Sequence, residues 1–242
     1  MKKLIICLMA VLGLTTACAQ KNYETDEFTT KSGKTVKFHA LMHACIRIEL
    51  DGKEIQIDPV AKLGDRTVDY AAMPKADYIF VTHEHGDHYD AKSIKQLTGE
   101  KTQLVMNKRC ADMYGAGKVM ANGNKLQLAD MSVEAVPAYN YTEGHTQFHP
   151  KGRDNGYILT IDGLRIYIAG DTEDIPEMSK IKDIDIAFLP CNQPYTMTPD
   201  QLVRAAKIIK PKVLFPYHYG QTDLSTVPAQ LKDIDVRIRH YE

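Results

Sequence analysis

Residues 81–88 read Val-Thr-His-Glu-His-Gly-Asp-His, so His83, His85, Asp87 and His88 place four potential metal ligands within six residues. Neutral imidazole is a favoured ligand for Zn²⁺, and a carboxylate suits a harder second cation. The run just before them, residues 78–82, is apolar and rich in β-formers, which predicts a strand buried on both faces. The four ligands would then stand at a strand end, in a tight loop that aims them inward. Gly86 is expected to permit that turn. A merely solvated loop has no need of three histidines and two acids at this spacing.

His43 and Asp58 precede the motif at predicted strand ends. They are placed to hydrogen-bond the ligands, or to serve the fold alone. His39 and His240 have no such context and are expected on the surface or in ordinary packing.

The elements that must position these groups follow from pattern and punctuation. Residues 35–39, 45–50 and 54–57 read as strands, the last two joined by an Asp51-Gly52 turn. Residues 91–97 fit a short helix and 104–106 a short strand, and 115–124 are glycine-rich and read as loop. Residues 126–128 and 132–136 are strand candidates. Residues 157–161 and 165–169 form a second hairpin with Asp162-Gly163 at its turn. Residues 184–189 and 213–216 are buried strands. Thr198-Pro199-Asp200-Gln201 opens a helix with a capping box and a proline at the first helical position, and that helix must stop before Pro211. Hairpins with helices inserted between them predict an α/β chain: two mixed β-sheets flanked by helices, an αββα sandwich.

Taken together, these residues resemble the metallo-β-lactamase superfamily, whose hallmark the T-H-x-H-x-D-H motif matches. Ile57-Asp58-Pro59, Ala169-Gly170-Asp171-Thr172 and Pro216-Tyr217-His218-Tyr219-Gly220 resemble three further elements of that family, so the likeness spans roughly residues 35–220. The phrase Phe148-His149-Pro150-Lys151-Gly152 is similar to the small hydrolases of the L-ascorbate-6-phosphate lactonase-like group. The resemblance implies a metal-dependent hydrolase with two divalent metal ions, Zn²⁺ first and Mn²⁺ or Fe as alternatives. His83 and His85 would hold the first metal, Asp87 and His88 the second. Asp171 would bridge the two, and His218 would complete the second site. One departure stands out: Asn140, in Pro137-Ala138-Tyr139-Asn140, occupies a place where many members carry His. His149 is taken to complete the first site, with His145 as the neighbouring alternative and Asn140 or water as the third.

Two such ions would lower the pKa of a bound water towards neutrality and polarise the oxygen under attack. Asp87 is the candidate catalytic group, to orient the nucleophile or carry a proton. Tyr195, Tyr217, Tyr219 and Lys151 are candidate pocket residues, and Lys151 would meet an anionic substrate. The expected reaction is hydrolysis of a lactone, ester, phosphodiester or amide bond of a small molecule. Oxidoreductase chemistry on iron is a second possibility within the superfamily. A non-catalytic metal- or ligand-binding envelope lipoprotein is the reading from another class.

Bulk properties agree with one soluble domain. The chain has 242 residues, 44% hydrophobic and 25% charged, with a formal net charge of −1. That balance gives no electrostatic footprint for nucleic acid. Residues 1–19 read as a secretory signal: Lys2 and Lys3, an apolar run over residues 4–14, then small residues around Cys18. Cys18 makes it a lipoprotein signal in first reading and simple secretion in second, which places the protein in a bacterial cell envelope, with membrane contact only through a lipid anchor. Residues 20–34 read as a linker or frayed edge, and 35–242 as the hydrolase domain. Cys45, Cys110 and Cys191 are expected as single buried thiols rather than a disulfide framework.

Overall fold

The computed structural model describes residues 23–241. The expected signal segment and Cys18 lie outside the described residues. Two seven-stranded sheets hold all but two of the strands among the described residues. The first half contributes β1 (Glu24–Thr29), β2 (Thr35–Met42), β3 (Cys45–Leu50), β4 (Lys53–Ile57), a small ribbon of β5 (Lys62–Leu63) with β6 (Arg66–Thr67), β7 (Ala76–Val81), helix α1 (Ala91–Leu97), β8 (Thr98–Met106), helix α2 (Lys108–Tyr114) and β9 (Lys118–Val119). Its sheet runs β1-β2-β3-β4-β7-β8-β9. The second half contributes β10 (Lys125–Gln127), β11 (Ser132–Ala138), β12 (Asp154–Ile161), β13 (Leu164–Ile168), β14 (Ile186–Pro190), helix α3 (Pro199–Ile209), β15 (Val213–Tyr217), the short helix α4 (Val227–Gln230) and β16 (Asp235–Val236). Its sheet runs in chain order.

Each sheet is antiparallel where hairpins build it and parallel where helices cross over. β4, β7 and β8 pair in parallel, as do β13, β14 and β15. The parallel strands β14 and β15 are buried at every position, whereas β2 and β3 carry partly exposed residues between buried ones. That contrast is what covering one face or both demands. Phe38, Ile46, Ile55 and Phe80 of the first sheet pack with Leu159, Ile166, Phe188 and Phe215 of the second to form the central core. α3 closes the outer face of the second sheet through Leu202, Ala205, Ala206 and Ile209. α1 and α2 close the outer face of the first through Ile94, Leu97 and Cys110. The layers are therefore helix, sheet, sheet, helix, the expected αββα sandwich. α3 begins with the expected capping box: Gln201 N–H donates to Thr198 Oγ1 at 3.1 Å, and Thr198 N–H to Gln201 Oε1 at 2.8 Å. The three cysteines are buried and free.

Three sequence expectations need correction. The linker assigned to residues 20–34 contains β1, which pairs antiparallel with β2 from Glu24 opposite Ala40 to Thr29 opposite Thr35. Its inward residues are Asp26, held by Arg237 and Arg239 through bonds of 2.7–2.9 Å, and Phe28, which packs on Phe38, so a single apolar residue gives no alternation to betray the strand. Residues 108–114 form helix α2, which the sequence pattern does not announce, and β9 lies inside the expected loop. Gly86 adopts no left-handed backbone, and a Cβ there would meet nothing within 4 Å, so the motif loop does not depend on glycine. No helix among the described residues is long and apolar enough to cross a membrane.

Candidate metal centre

The histidine motif leaves the buried end of β7 as a compact loop, closed by His88 N–H and Tyr89 N–H donating to His85 C=O at 2.9 and 2.8 Å. Asp58, just after the neighbouring strand β4, holds this loop from below. Its carboxylate accepts from Thr82 N–H and Thr82 Oγ1, each at 2.7 Å, and stands 2.8 Å from His88 Nδ1. Thr82 Oγ1 in turn lies 3.0 Å from His83 Nδ1. With their Nδ1 atoms occupied, His83 and His88 present Nε2 to the interior. Orienting contacts of this kind set tautomer and ring direction in metal-binding histidines.

The second sheet supplies the facing groups. Asp171 follows β13 across Gly170, whose φ is 65° and where a Cβ would lie 2.8 Å from Asn155 O. Only glycine fits that crossing. His218 follows β15. His149 lies in the segment before β12, with Nδ1 3.0 Å from Asp154 Oδ2. Asp154 is itself gripped by Arg153, Nε to Oδ1 at 2.6 Å and Nη2 to Oδ2 at 2.9 Å. Asp171 is the hub of the arrangement. Its Oδ1 lies 3.2 Å from His88 Nε2, and its Oδ2 lies 3.2 Å from His218 Nε2, 3.4 Å from His149 Nε2 and 3.8 Å from His83 Nε2.

Ligand atoms of His83, His85 and His149 lie within 4.8 Å of one another, as do those of His83, His88 and Asp171, and those of His43, Asp87, His88 and His218. The seven expected ligands thus converge on one spot. His149 stands there, whereas His145 is turned to Glu173 at 3.4 Å. Asn140 donates from Nδ2 to Tyr195 O at 2.7 Å, and its buried Oδ1 has no hydrogen-bond partner. Lys151, expected to meet substrate, is tied to Glu177 at 2.8 Å and lies over the Tyr139 ring. Tyr217 is wholly buried in the core, and Tyr219 donates its hydroxyl to Arg239 O at 2.6 Å. Of the four expected pocket residues only Tyr195 lines the opening, a cavity of about 150 Å³ with His85, Asp87, Phe148, His149 and Asp171.

Three residues that turn side chains into the site carry left-handed backbones, each directly after a strand: His43 (φ 54°), Asp58 (φ 46°) and His218 (φ 50°). This conformation is uncommon outside glycine and costs of order 1–3 kcal/mol. The sequence points to Asp58 and His43 as supports. It gives no sign of Thr82 or Asp154, whose roles depend on neighbours brought close only by the fold.

Electrostatics fit a cation. Burial of Asp87 opposes its ionisation, but the charge of His88 and the close approach of His218 and His43 outweigh it and hold the carboxyl well below the usual range. Burial likewise disfavours charge on His218, yet Asp171 and Asp87 lift its pKa to about 9. His83 is pushed well below its ordinary value by burial and by the charge of His88, so it is a neutral donor. His83 Nε2, His88 Nε2, His218 Nε2 and Asp171 Oδ1 are all buried without a hydrogen-bond partner. An unsatisfied buried polar atom costs about 1–3 kcal/mol, and four at one point are accounted for by bound cations. The donors present therefore fit divalent metal.

Comparison with known proteins agrees with this geometry. The family described as "Beta-lactamase superfamily domain" matches residues 37–218. A UPF0173 metal-dependent hydrolase from Ligilactobacillus salivarius is 32% identical over 199 residues, covering 80% of this chain and 87% of that protein. A UPF0173 metal-dependent hydrolase from Staphylothermus marinus is 33% identical over 208 residues, covering 80% and 88%. Among solved structures, a Parabacteroides distasonis protein named as a candidate metal-dependent hydrolase superposes with a TM-score of 0.88 at 49% identity, covering 91% of this chain and all of that one. Igni18, a metallo hydrolase from Ignicoccus hospitalis, superposes with a TM-score of 0.70 at 28% identity, covering 84% and 94%. With the fold, the converging donors and these relatives in agreement, the chain belongs to the metallo-β-lactamase superfamily and is a metal-dependent hydrolase.

Proposed function

We propose that this hydrolase cleaves a lactone or phosphodiester bond in a small substrate at a two-metal centre, with Zn²⁺ as the first candidate and Mn²⁺ or Fe as alternatives. His83, His85 and His149 would hold one ion and Asp87, His88 and His218 the other, with Asp171 between them. The observation that carries this reading is the convergence of buried, unpartnered donors on Asp171. Bound there, the ions would supply a water acidified towards neutrality and an electrophilic pole for the oxygen of the bond to be cut.

The chain's own groups do the rest. Asp87, whose side chain is 30% exposed, faces the cavity and can orient the attacking water and hand its proton to the leaving group. Phe148 and Tyr195 meet edge to face with centroids 5.0 Å apart and would steer the substrate's apolar part. Because Lys151 is turned away, an anionic oxygen would be met by the ions rather than by an ammonium. The likeness to the L-ascorbate-6-phosphate lactonase-like group supports a lactone or phosphate-bearing substrate.

The test compares kcat/KM of metal-loaded protein on bis-p-nitrophenyl phosphate, a sugar-phosphate lactone and nitrocefin. Turnover of one of the first two should exceed that of nitrocefin and fall about 10²–10⁴-fold in Asp87→Ala. Faster turnover of nitrocefin would replace this reading with an antibiotic-degrading one.

A further inference from the structure

His43 belongs to none of the expected ligands, yet it is built into the site on every side. It is 6% exposed, in the turn between β2 and β3. Its N–H donates to Tyr241 O at 2.9 Å, and its C=O accepts from His218 N–H at 3.1 Å. The backbone bond to His218 joins the two sheets at the metal centre. The imidazole lies against that of His218, centroids 3.8 Å apart and tilted by 44°. Its Nε2 is 3.2 Å from Asp87 Oδ2. One side chain thus touches both of the groups that, with His88, would hold the second ion.

Its place in the site sets His43 apart from the histidines gathered on Asp171. His83, His88 and His149 each have Nδ1 against an oxygen, of Thr82, Asp58 and Asp154, and Nε2 turned to the centre. In His43, as in His218, Nδ1 is buried without a partner; Nε2 of His43 faces Asp87 Oδ2, whereas Nε2 of His218 also lies 3.2 Å from Asp171 Oδ2, the hub of the centre. An ionised carboxylate only accepts, so the proton of this contact sits on Nε2.

We propose that His43 is a positioning residue for the second metal, donating Nε2–H to Asp87 Oδ2 and backing the His218 ring, so that it fixes two ligands without being one. The proposal rests on the two-metal reading given above. It also supplies a reason for the left-handed backbone at 43: only from that conformation, directly after β2, does the chain meet His218 with its carbonyl and Asp87 with its ring. Such strain is retained where the surroundings over-determine it.

The test uses His43→Gln, which keeps an amide N–H at similar reach, and His43→Leu, which keeps bulk and loses the donor. Both carry the same left-handed cost, so their difference reports the hydrogen bond. Metal is stripped from the wild type and both variants, and Zn²⁺ is titrated back by calorimetry, with bound metal counted by elemental analysis. The first equivalent should bind alike in all three. The second should weaken about 10–100-fold in His43→Leu, the range expected when a ligand's orienting partner is removed, and recover to within about threefold of wild type in His43→Gln. Equal loss of the second equivalent in both variants overturns the proposal in favour of ligation or a purely structural role. Wild-type affinity in both variants overturns it outright while leaving the two-metal reading intact. A wild type that takes up no second equivalent overturns that reading, and the proposal with it.

Discussion

Asp58 and Asp154 perform the same task on opposite sides of the centre. Each is fully buried, each stands against Nδ1 of an inward-facing histidine, and each is itself held, Asp58 by Thr82 and Asp154 by Arg153. Their symmetry yields a separable prediction. Asp154→Ala should weaken the metal that His149 helps to hold, and Asp58→Ala the one that His88 helps to hold, each by about 10–100-fold. Stepwise metal titration of the two variants reads this directly, and weakening of the same equivalent by both would refute the division. The residue scale also shows where legibility ends. Types and spacing expose His83, His85, Asp87 and His88 because one loop carries all four. Asp171 and His218 need the family likeness, since alone each is a polar residue after an apolar run. His149 competes in sequence with His145, and only the fold separates them, by giving one Asp154 and the other Glu173.

The β1 strand shows how an element can be stable without an apolar signature. Its hold on the body of the protein includes Asp26, which accepts from Arg237 Nη1 and from Arg239 Nε and Nη2. Burial alone would raise the pKa of Asp26, but the two guanidinium groups outweigh it and lower the value. The sign follows. A carboxyl with a lowered folded-state pKa contributes stability above its unfolded value, about 3.9, and loses it as pH falls through the folded value. Asp26→Asn should therefore cost about 1–2 kcal/mol at neutral pH and show a shallower loss of stability on acidification below about pH 4. Denaturant titrations at a series of pH values would measure both, and parallel curves for wild type and variant would refute the assignment. The partners are more than 200 residues away in the chain, so no local pattern announces the strand. Helix α2 is different. Its Asn107 cap and the left-handed Gly115 at its end are visible start and stop signals, but seven residues give too little periodicity to connect them. The long buried strands, the Asp51-Gly52 and Asp162-Gly163 turns and the capping box of α3 are legible because each depends on neighbours within a few residues.

At the scale of the whole molecule, the metal centre occupies one edge of the sandwich and draws on both sheets. His83, His85, Asp87 and His88 come from the first, and His149, Asp171 and His218 from the second. Two backbone bonds cross between the sheets at this edge, His218 N–H to His43 O and Asn155 N–H to Thr82 O at 3.2 Å. At the opposite edge the turn at residues 30–33 meets the Asp162-Gly163 turn, with Lys31 N–H donating to Asp162 O at 3.1 Å and Ser32 N–H to Asp162 Oδ2 at 2.9 Å. The molecule is in this sense a clamshell, hinged by protein at one rim and latched by metal at the other. Chelation should release the latch and leave the hinge. In deuterium exchange the amides of His218, Asn155 and His88 should lose protection on metal removal, while those of Lys31 and Ser32 stay as they were. A uniform change over both rims would mean that the ions stabilise the fold as a whole. A change confined to the latch would make the metal supply a control on how far the two halves breathe, and so on what can enter between them.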